Sequence, residues 1–221
     1  MTKELNTDAR VTKSTRVYDS PALNGYDLFV HGFCNRYAWK CSTQTLVDQY
    51  KRLTSTNHLE AGVGTGFLID KSAIQPNGQR LGILDFSKQC LSYSEKRLSR
   101  YSPELFHFDI LKPISSSAAK FDSIGLNYVL HCVPGSFETK GVAFANLKAL
   151  LSQNGVMFGS TLLGDGVPRN LTAKMLMSFY NQTGIFNNIE DSQYALRRSL
   201  EKTFDRIDIE VVGCCALFEV S

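Results

Sequence analysis

No two cysteines in this chain stand at metal-ligand or redox spacing. The six, at 34, 41, 90, 132, 214 and 215, include no CxxC pair and no regular framework. That spacing argues against a zinc site or disulfide staples and reads as free thiols in a reducing compartment. No run of eighteen apolar residues occurs, which excludes a membrane-crossing helix. The opening "MTKELNTDARVTKS" lacks the apolar core of a secretion signal, so a cytoplasmic location with no membrane partner is expected. Charge is scarce in blocks: 24 Lys and Arg face 21 Asp and Glu, and the densest basic spots are Lys96-Arg97 and Arg197-Arg198. Such dispersed charge describes solvated helix faces and not a nucleic-acid groove, so no nucleic-acid partner is expected. Repeats and low-complexity tracts are absent as well.

What the chain does have is 221 residues, 43% of them hydrophobic, enough to bury one sizeable core. Residues 1 to about 16 are polar. An aromatic-rich stretch follows, and from Ser42 to Leu53 a helix is expected, with Leu46, Val47, Tyr50 and Leu53 along one face. Strands and helices then alternate. "HLEAGV", "RLGILDFS", "ELFHFDI", "FDSIGLNYVLHCV" and "GVMFGSTLL" read as strands. Between them fall helices from Gly66, from a Ser87 cap, and from a Ser136 cap through to a Gly155 C-cap. Two further helices are expected at about 170–181 and 190–203. "RIDIEVVG" and "CCALFEV" close the chain, too near each other for a crossover and so an antiparallel hairpin. The expected fold is therefore α/β: a doubly wound, seven-stranded sheet of five parallel strands plus the hairpin, with helices on both faces.

Three glycines at alternate positions, Gly62, Gly64 and Gly66, follow the first expected strand in "NHLEAGVGTGFLID". This is the edge where such sheets bind ligands. A tight turn without a ligand is one reading. A dinucleotide fingerprint is a second, but it wants G-x-G-x-x-G, and the third glycine here is displaced. A loop that passes beside S-adenosylmethionine is the third, and Glu60 suits it best because a carboxylate favours the cationic amino end of methionine. Asp85 closes the second strand, where a carboxylate accepts from ribose hydroxyls, with Phe86 beside it to pack on a base. Asp109 stands at the end of the third strand.

In order and spacing, "HLEAGVGTGFLID", "LDFS", "FHFDI", "FDSIGLNYVLHCVPG" and "LLSQNGVMFGST" resemble the successive motifs of class I S-adenosylmethionine-dependent methyltransferases, over roughly residues 57 to 165. The resemblance implies a Rossmann-like sheet with S-adenosyl-L-methionine as cofactor. It implies that Glu60, Gly62, Gly64, Thr65 and Gly66 cradle the methionine end. Asp85 would hold the ribose with Phe86 beside it against the adenine, Asp109 and Ile110 would meet the adenine, and Asn127 and Tyr128 would wall the sulfonium.

Methyl transfer from a sulfonium is an in-line displacement that needs alignment and dryness more than acid–base groups. For a hydroxyl acceptor, His131 after the fourth strand is the first candidate base and His31 the second; a packing role for His131 is the competing reading. Base-amine methylation loses support because no Pro-Pro follows Asn127. Two segments remain to choose an acceptor: residues 1–55, read as an aromatic and helical lid, and an insert at about 163–190 of the 56–221 core. Tyr18, Tyr26, His31 and Trp39 are the expected acceptor-binding residues. The expected reaction is methylation of an O, N or S atom of a small aromatic or polyketide-like metabolite, with a homodimer left open. A protein side-chain methyltransferase and a silent cofactor-binding scaffold are the alternatives.

Overall fold

The computed structural model describes residues 25, 27–72, 78–114 and 120–221. Its centre is a seven-stranded sheet in the order β3-β2-β1-β4-β5-β7-β6. The strands are β1 (Asn57–Ala61), β2 (Arg80–Asp85), β3 (Glu104–His107), β4 (Phe121–Asn127), β5 (Leu151–Leu162), β6 (Ile207–Val212) and β7 (Cys215–Val220). Neighbours from β3 through β5 pair parallel, whereas β7 runs antiparallel to both β5 and β6. The expected five parallel strands and terminal hairpin are both present. Strand order reverses between β1 and β4, so the carboxyl ends of these two diverge into a crevice.

Helices cover both faces. A π-helical segment, α1 (Leu28–Ala38), precedes α2 (Thr43–Leu53), whose N-cap Ser42 accepts from the Thr45 amide. Next come α3 (Phe67–Ser72), α4 (Lys88–Arg97) capped by Ser87, and the short pair α5 (Phe137–Lys140) and α6 (Val142–Lys148). Finally α7 (Leu171–Thr183) and α8 (Gln193–Leu200) are capped by Asn170 and Ser192. One apolar layer under α5, α6 and α8 holds Phe121, Phe137, Phe144 and Phe218; the other, under α1, α2 and α3, holds Trp39, Tyr50 and Phe158.

Three local expectations differ from the structure. The Ser136 side chain makes no cap bond, and the helix it begins is broken at Gly141, where a Cβ would strike the Ser199 hydroxyl. That helix stops at Lys148, so Gly155 is no C-cap. It lies inside β5, at a register shift where Phe121 pairs with Leu151 but Ser123 already pairs with Val156. A bulge of this kind absorbs extra residues and favours glycine. Lastly, β4 ends at Asn127 because Tyr128 adopts φ +58, which no strand can continue.

Candidate active site

Local chemistry dictates the turn after β1. Gly62, Gly64 and Gly66 have φ of +69, +53 and +72, the left-handed region that glycine enters freely. At Gly62 there is also no room for a side chain, since a Cβ would collide with Val129. The Gly62 amide donates to the Leu84 carbonyl at 2.7 Å, and the Gly64 amide donates to Asp85 Oδ2 at 3.0 Å. The glycine loop is thus held by the end of β2.

Two adjoining grooves meet at Gly62, Gly64 and Tyr128. The first is lined by Asp85, Phe86, Phe108, Asp109, Ile110 and Val129. Asp85 is buried, accepts from the Ser87 amide at 2.8 Å besides Gly64, and burial pushes its carboxyl above the ordinary range. Each of its oxygens keeps accepting capacity. Asp109 lies beyond the end of β3 in a turn, with Oδ1 accepting from the Leu111 amide at 2.9 Å. The second groove runs under α1, between His31, Glu60, the glycine loop, Asn127 and Tyr128.

Glu60 is buried at the floor of this second groove, where, among the described residues, its carboxylate meets a hydroxyl and an imidazole. Tyr50 donates to Oε1 at 2.5 Å and His58 Nε2 lies 3.2 Å from Oε2. Gly125 on β4 makes the fit possible, for a Cβ there would strike Glu60 Oε2. Across the groove Asn127 Oδ1 accepts from the Ser160 hydroxyl at 2.7 Å, while among the described residues its buried Nδ2 meets no partner at full hydrogen-bond geometry. A buried donor without a partner costs about 1–3 kcal/mol unless a ligand satisfies it. The site therefore joins a carboxylate able to take a cationic amine, a free amide donor, and a carboxylate able to take hydroxyls beside an apolar slot. S-adenosylmethionine offers the complement of each.

Comparison with known proteins agrees. Residues 59–157 match the family model described as a methyltransferase domain. The chain is 37% identical over 215 residues to methyltransferase aurB of Calcarisporium arbuscula, covering 91% of this chain and 94% of that one. It is 33% identical over 211 residues to the demethylluteothin O-methyltransferase of Streptomyces thioluteus, covering 96% and 92%. The chain belongs to the class I S-adenosylmethionine-dependent methyltransferases. Its fold is shared with the N-methyltransferase NodS of Bradyrhizobium japonicum WM9 in complex with S-adenosyl-L-homocysteine, at a TM-score of 0.64 and 16% identity, covering 96% of this chain and 97% of that one. S-adenosyl-L-methionine is the cofactor of this methyltransferase.

The structure brings Glu60, the three glycines, Asp85, Phe86, Asp109, Ile110, Asn127, Tyr128 and His31 to the two grooves of the methyltransferase. Thr65 reaches the second groove, but its hydroxyl is taken by Asp27 at 2.7 Å. Two expected residues lie elsewhere. His131 lines neither groove: the turn at Tyr128 drops it among Tyr128 and Phe186, and Nδ1 accepts from the Leu162 amide at 3.4 Å. Burial, aided by the Lys140 charge, lowers its pKa from 6.5 to about 3. Its placement matches the packing role. Trp39 is 2% exposed, rests against Phe186 and accepts at its carbonyl from the Cys214 amide, so it is core. Tyr18 and Tyr26 fall outside the described residues. Sequence reasoning missed Asp27, Tyr50, Arg97 and Phe108. Of these, only Tyr50 left a signal, as a polar group on the apolar face of α2.

Proposed function

We propose that this methyltransferase acts on an O, N or S nucleophile of a compact aromatic or polyketide-like acceptor. The observation that carries the reading is the set of aromatic rings that closes the acceptor-facing side of the second groove. His31 stacks on Phe67 at 4.3 Å and lies parallel to Tyr128 at 6.3 Å. Bound S-adenosylmethionine supplies an electrophilic methyl group on a sulfonium. The chain's own residues hold and align. Glu60 takes the ammonium end, and Gly62, Gly64 and Gly66 let the backbone lie close. Asp85 accepts from ribose hydroxyls. Phe86 and Ile110 flank the adenine, Asp109 accepts from its amino group, and Asn127 Nδ2 donates at the methionine end.

On the acceptor side, the 1–55 segment contributes α1 and the 163–190 insert contributes α7. Phe29, Phe33 and Tyr37 form an exposed row on α1, and Leu171, Met175 and Phe179 a second on α7. The two helices are linked where Asn170 donates to the Tyr37 carbonyl at 2.7 Å. These rows supply an apolar approach suited to a lipophilic acceptor. Burial, offset in part by Asp27, holds the His31 pKa at about 4, so its ring is neutral beside a cationic cofactor and free to accept a hydrogen bond from the acceptor. Relatives of similar length include O-methyltransferases of metabolite clusters, such as the physcion biosynthesis cluster O-methyltransferase of Aspergillus chevalieri, 32% identical over 205 residues and covering 92% of each chain. The free cysteines support a cytoplasmic location, and the dispersed charge supports a role without nucleic acid. The test is incubation with S-adenosylmethionine and a panel of phenolic and enolic acceptors. A product heavier by one methyl group is expected; cofactor binding without turnover on any acceptor would favour a scaffold.

A further inference from the structure

The strongest unassigned feature is a buried charge cluster behind the glycine loop. Asp27, at the entry to α1, accepts the Thr65 hydroxyl on Oδ1 at 2.7 Å and pairs through Oδ2 with Arg97 Nη2 at 2.7 Å. Arg97, at the end of α4, also donates from Nη1 to the Thr65 carbonyl at 3.0 Å, and its guanidinium rests over Tyr93 and Phe67. One carboxylate therefore joins three elements: the lid-like α1, the glycine loop and α4. Asp27 is 8% exposed. Its backbone is already helical, at φ -60 and ψ -43, and its side chain makes no local cap bond but is committed to the tertiary contact.

The two ends of α1 are held differently. Its C-terminal end is embedded, with Cys34, Ala38 and the following Trp39 in the core and Asn35 Oδ1 accepting from the Tyr128 hydroxyl at 2.9 Å. The N-terminal end exposes Leu28 and Phe29, and Asp27 fastens it to the glycine loop. The whole element is π-helical, a winding that recurs at functional sites and is less stable than an α-helix. His31 follows Asp27 by four residues and faces the methionine groove. Thr65, the partner of Asp27, lies between Gly64 and Gly66 on the wall of that groove. A ligand that orders the loop must then strengthen the clamp, and the clamp must strengthen ligand binding by the same factor.

We propose that Asp27 is a positioning residue of the methyltransferase: through Thr65 and Arg97 it clamps α1 onto the glycine loop, making closure of α1 over the methionine end conditional on cofactor in the loop. The proposal rests on the cofactor reading above. The consequence is an order of events in which the cofactor seats first and α1, carrying His31 and the acceptor-facing aromatics, settles second.

Hydrogen exchange of residues 28–38 and calorimetric titration with S-adenosylhomocysteine test this on the full chain, in the wild type and in Asp27→Ala, Thr65→Val and Thr65→Ser. In the wild type the ligand should add protection to residues 28–38. Asp27→Ala should lose that gain, weaken ligand binding about tenfold, as expected for one charged hydrogen bond, and raise KM for the cofactor more than it lowers kcat. Thr65→Ser should restore what Thr65→Val loses. A folded Asp27→Ala protein with wild-type affinity and the full gain in protection would overturn the clamp. Should Asp27→Ala lose its cooperative melt, the Thr65 pair decides by the same comparison, equal behaviour of Val and Ser overturning it. Failure of the wild type itself to bind S-adenosylhomocysteine would instead overturn the cofactor reading.

Discussion

Tyr50 on α2 donates its hydroxyl to Glu60 at the end of β1 across 2.5 Å, in a site where both side chains are buried. Burial, and then the neighbouring Glu60 charge, push the Tyr50 pKa well above its ordinary value, so the phenol remains a donor. A helix that precedes the sheet in sequence thus aims the carboxylate proposed to receive the cofactor amine. Tyr50→Phe removes this donor with little change in volume and leaves Glu60 with His58 alone. Expected are a loss of stability of about 1–3 kcal/mol and weaker S-adenosylhomocysteine binding. Thermal melts and calorimetry measure both, and an unchanged Kd would remove Tyr50 from the binding apparatus.

Gly62 suffers two constraints that a double variant separates. Gly62→Ala places a side chain at φ +69 and against Val129, with an expected cost of about 1–3 kcal/mol for the backbone alone and more for the clash. Adding Val129→Ala should recover the clash and not the backbone strain. Chemical denaturation of the two single variants and the double one reads the non-additivity.

Asp85→Ala should weaken cofactor binding by about 1–3 kcal/mol, the cost of losing a charged hydrogen-bond acceptor. The rate should largely return at saturating cofactor, because the ribose lies away from the transferred methyl. Since burial raises the Asp85 pKa, the carboxylate should be lost at a higher pH than an exposed aspartate would be, and cofactor affinity with it. Titrations across the acid range, compared with Asp85→Asn, give the assignment; a fall in kcat alone would contradict it.

His131 makes the fold sensitive to acid. Its folded pKa is about 3 against 6.5 unfolded, so below pH 6.5 the unfolded chain takes up a proton that the folded protein refuses. Its stabilising effect is complete above pH 6.5 and declines as pH falls toward 3, by up to about 1.4 kcal/mol per pH unit. His131→Gln should flatten the decline of Tm between pH 6 and 4 by close to one proton. In contrast to a catalytic base, it should leave the pH profile of kcat in place. Loss of the acid-side limb of that profile would return His131 to catalysis.

A buried ion pair supports the acceptor-side insert. Lys140 on α5 meets Asp191 at 2.5 Å and donates to the Asn187 carbonyl at 3.1 Å, joining α5 to the segment between α7 and α8. Removing one partner, as in Lys140→Met, strands a buried carboxylate and should cost about 3–5 kcal/mol. The double variant Lys140→Met/Asp191→Leu should recover much of that loss, as equilibrium unfolding would show.

The alternation of strand and helix, the three glycines and the acidic residues near the strand ends were all legible in the sequence. Each is a local demand: short, nearly continuous apolar runs buried on both faces make β2 and β4, only glycine suits φ near +69 beside Val129, and a carboxylate at the end of β2 is within reach of the loop after β1 in any parallel pair of this register. What local pattern could not decide was the direction in which side chains point once the chain leaves a strand. Tyr128, a non-glycine residue in the left-handed region, turns β4 so that His131 falls into the core, although its place in sequence suggested the cofactor edge. The aromatics before the core divide in the same way. Trp39 is buried against Phe186, whereas Phe29, Phe33 and Tyr37, two to ten residues earlier in similar surroundings, remain exposed. Contacts between residues far apart in sequence, Asp27 with Thr65 and Arg97 or Tyr50 with Glu60, leave no periodic mark, because a hydrogen bond depends on where folding sets two atoms and not on how many residues separate them.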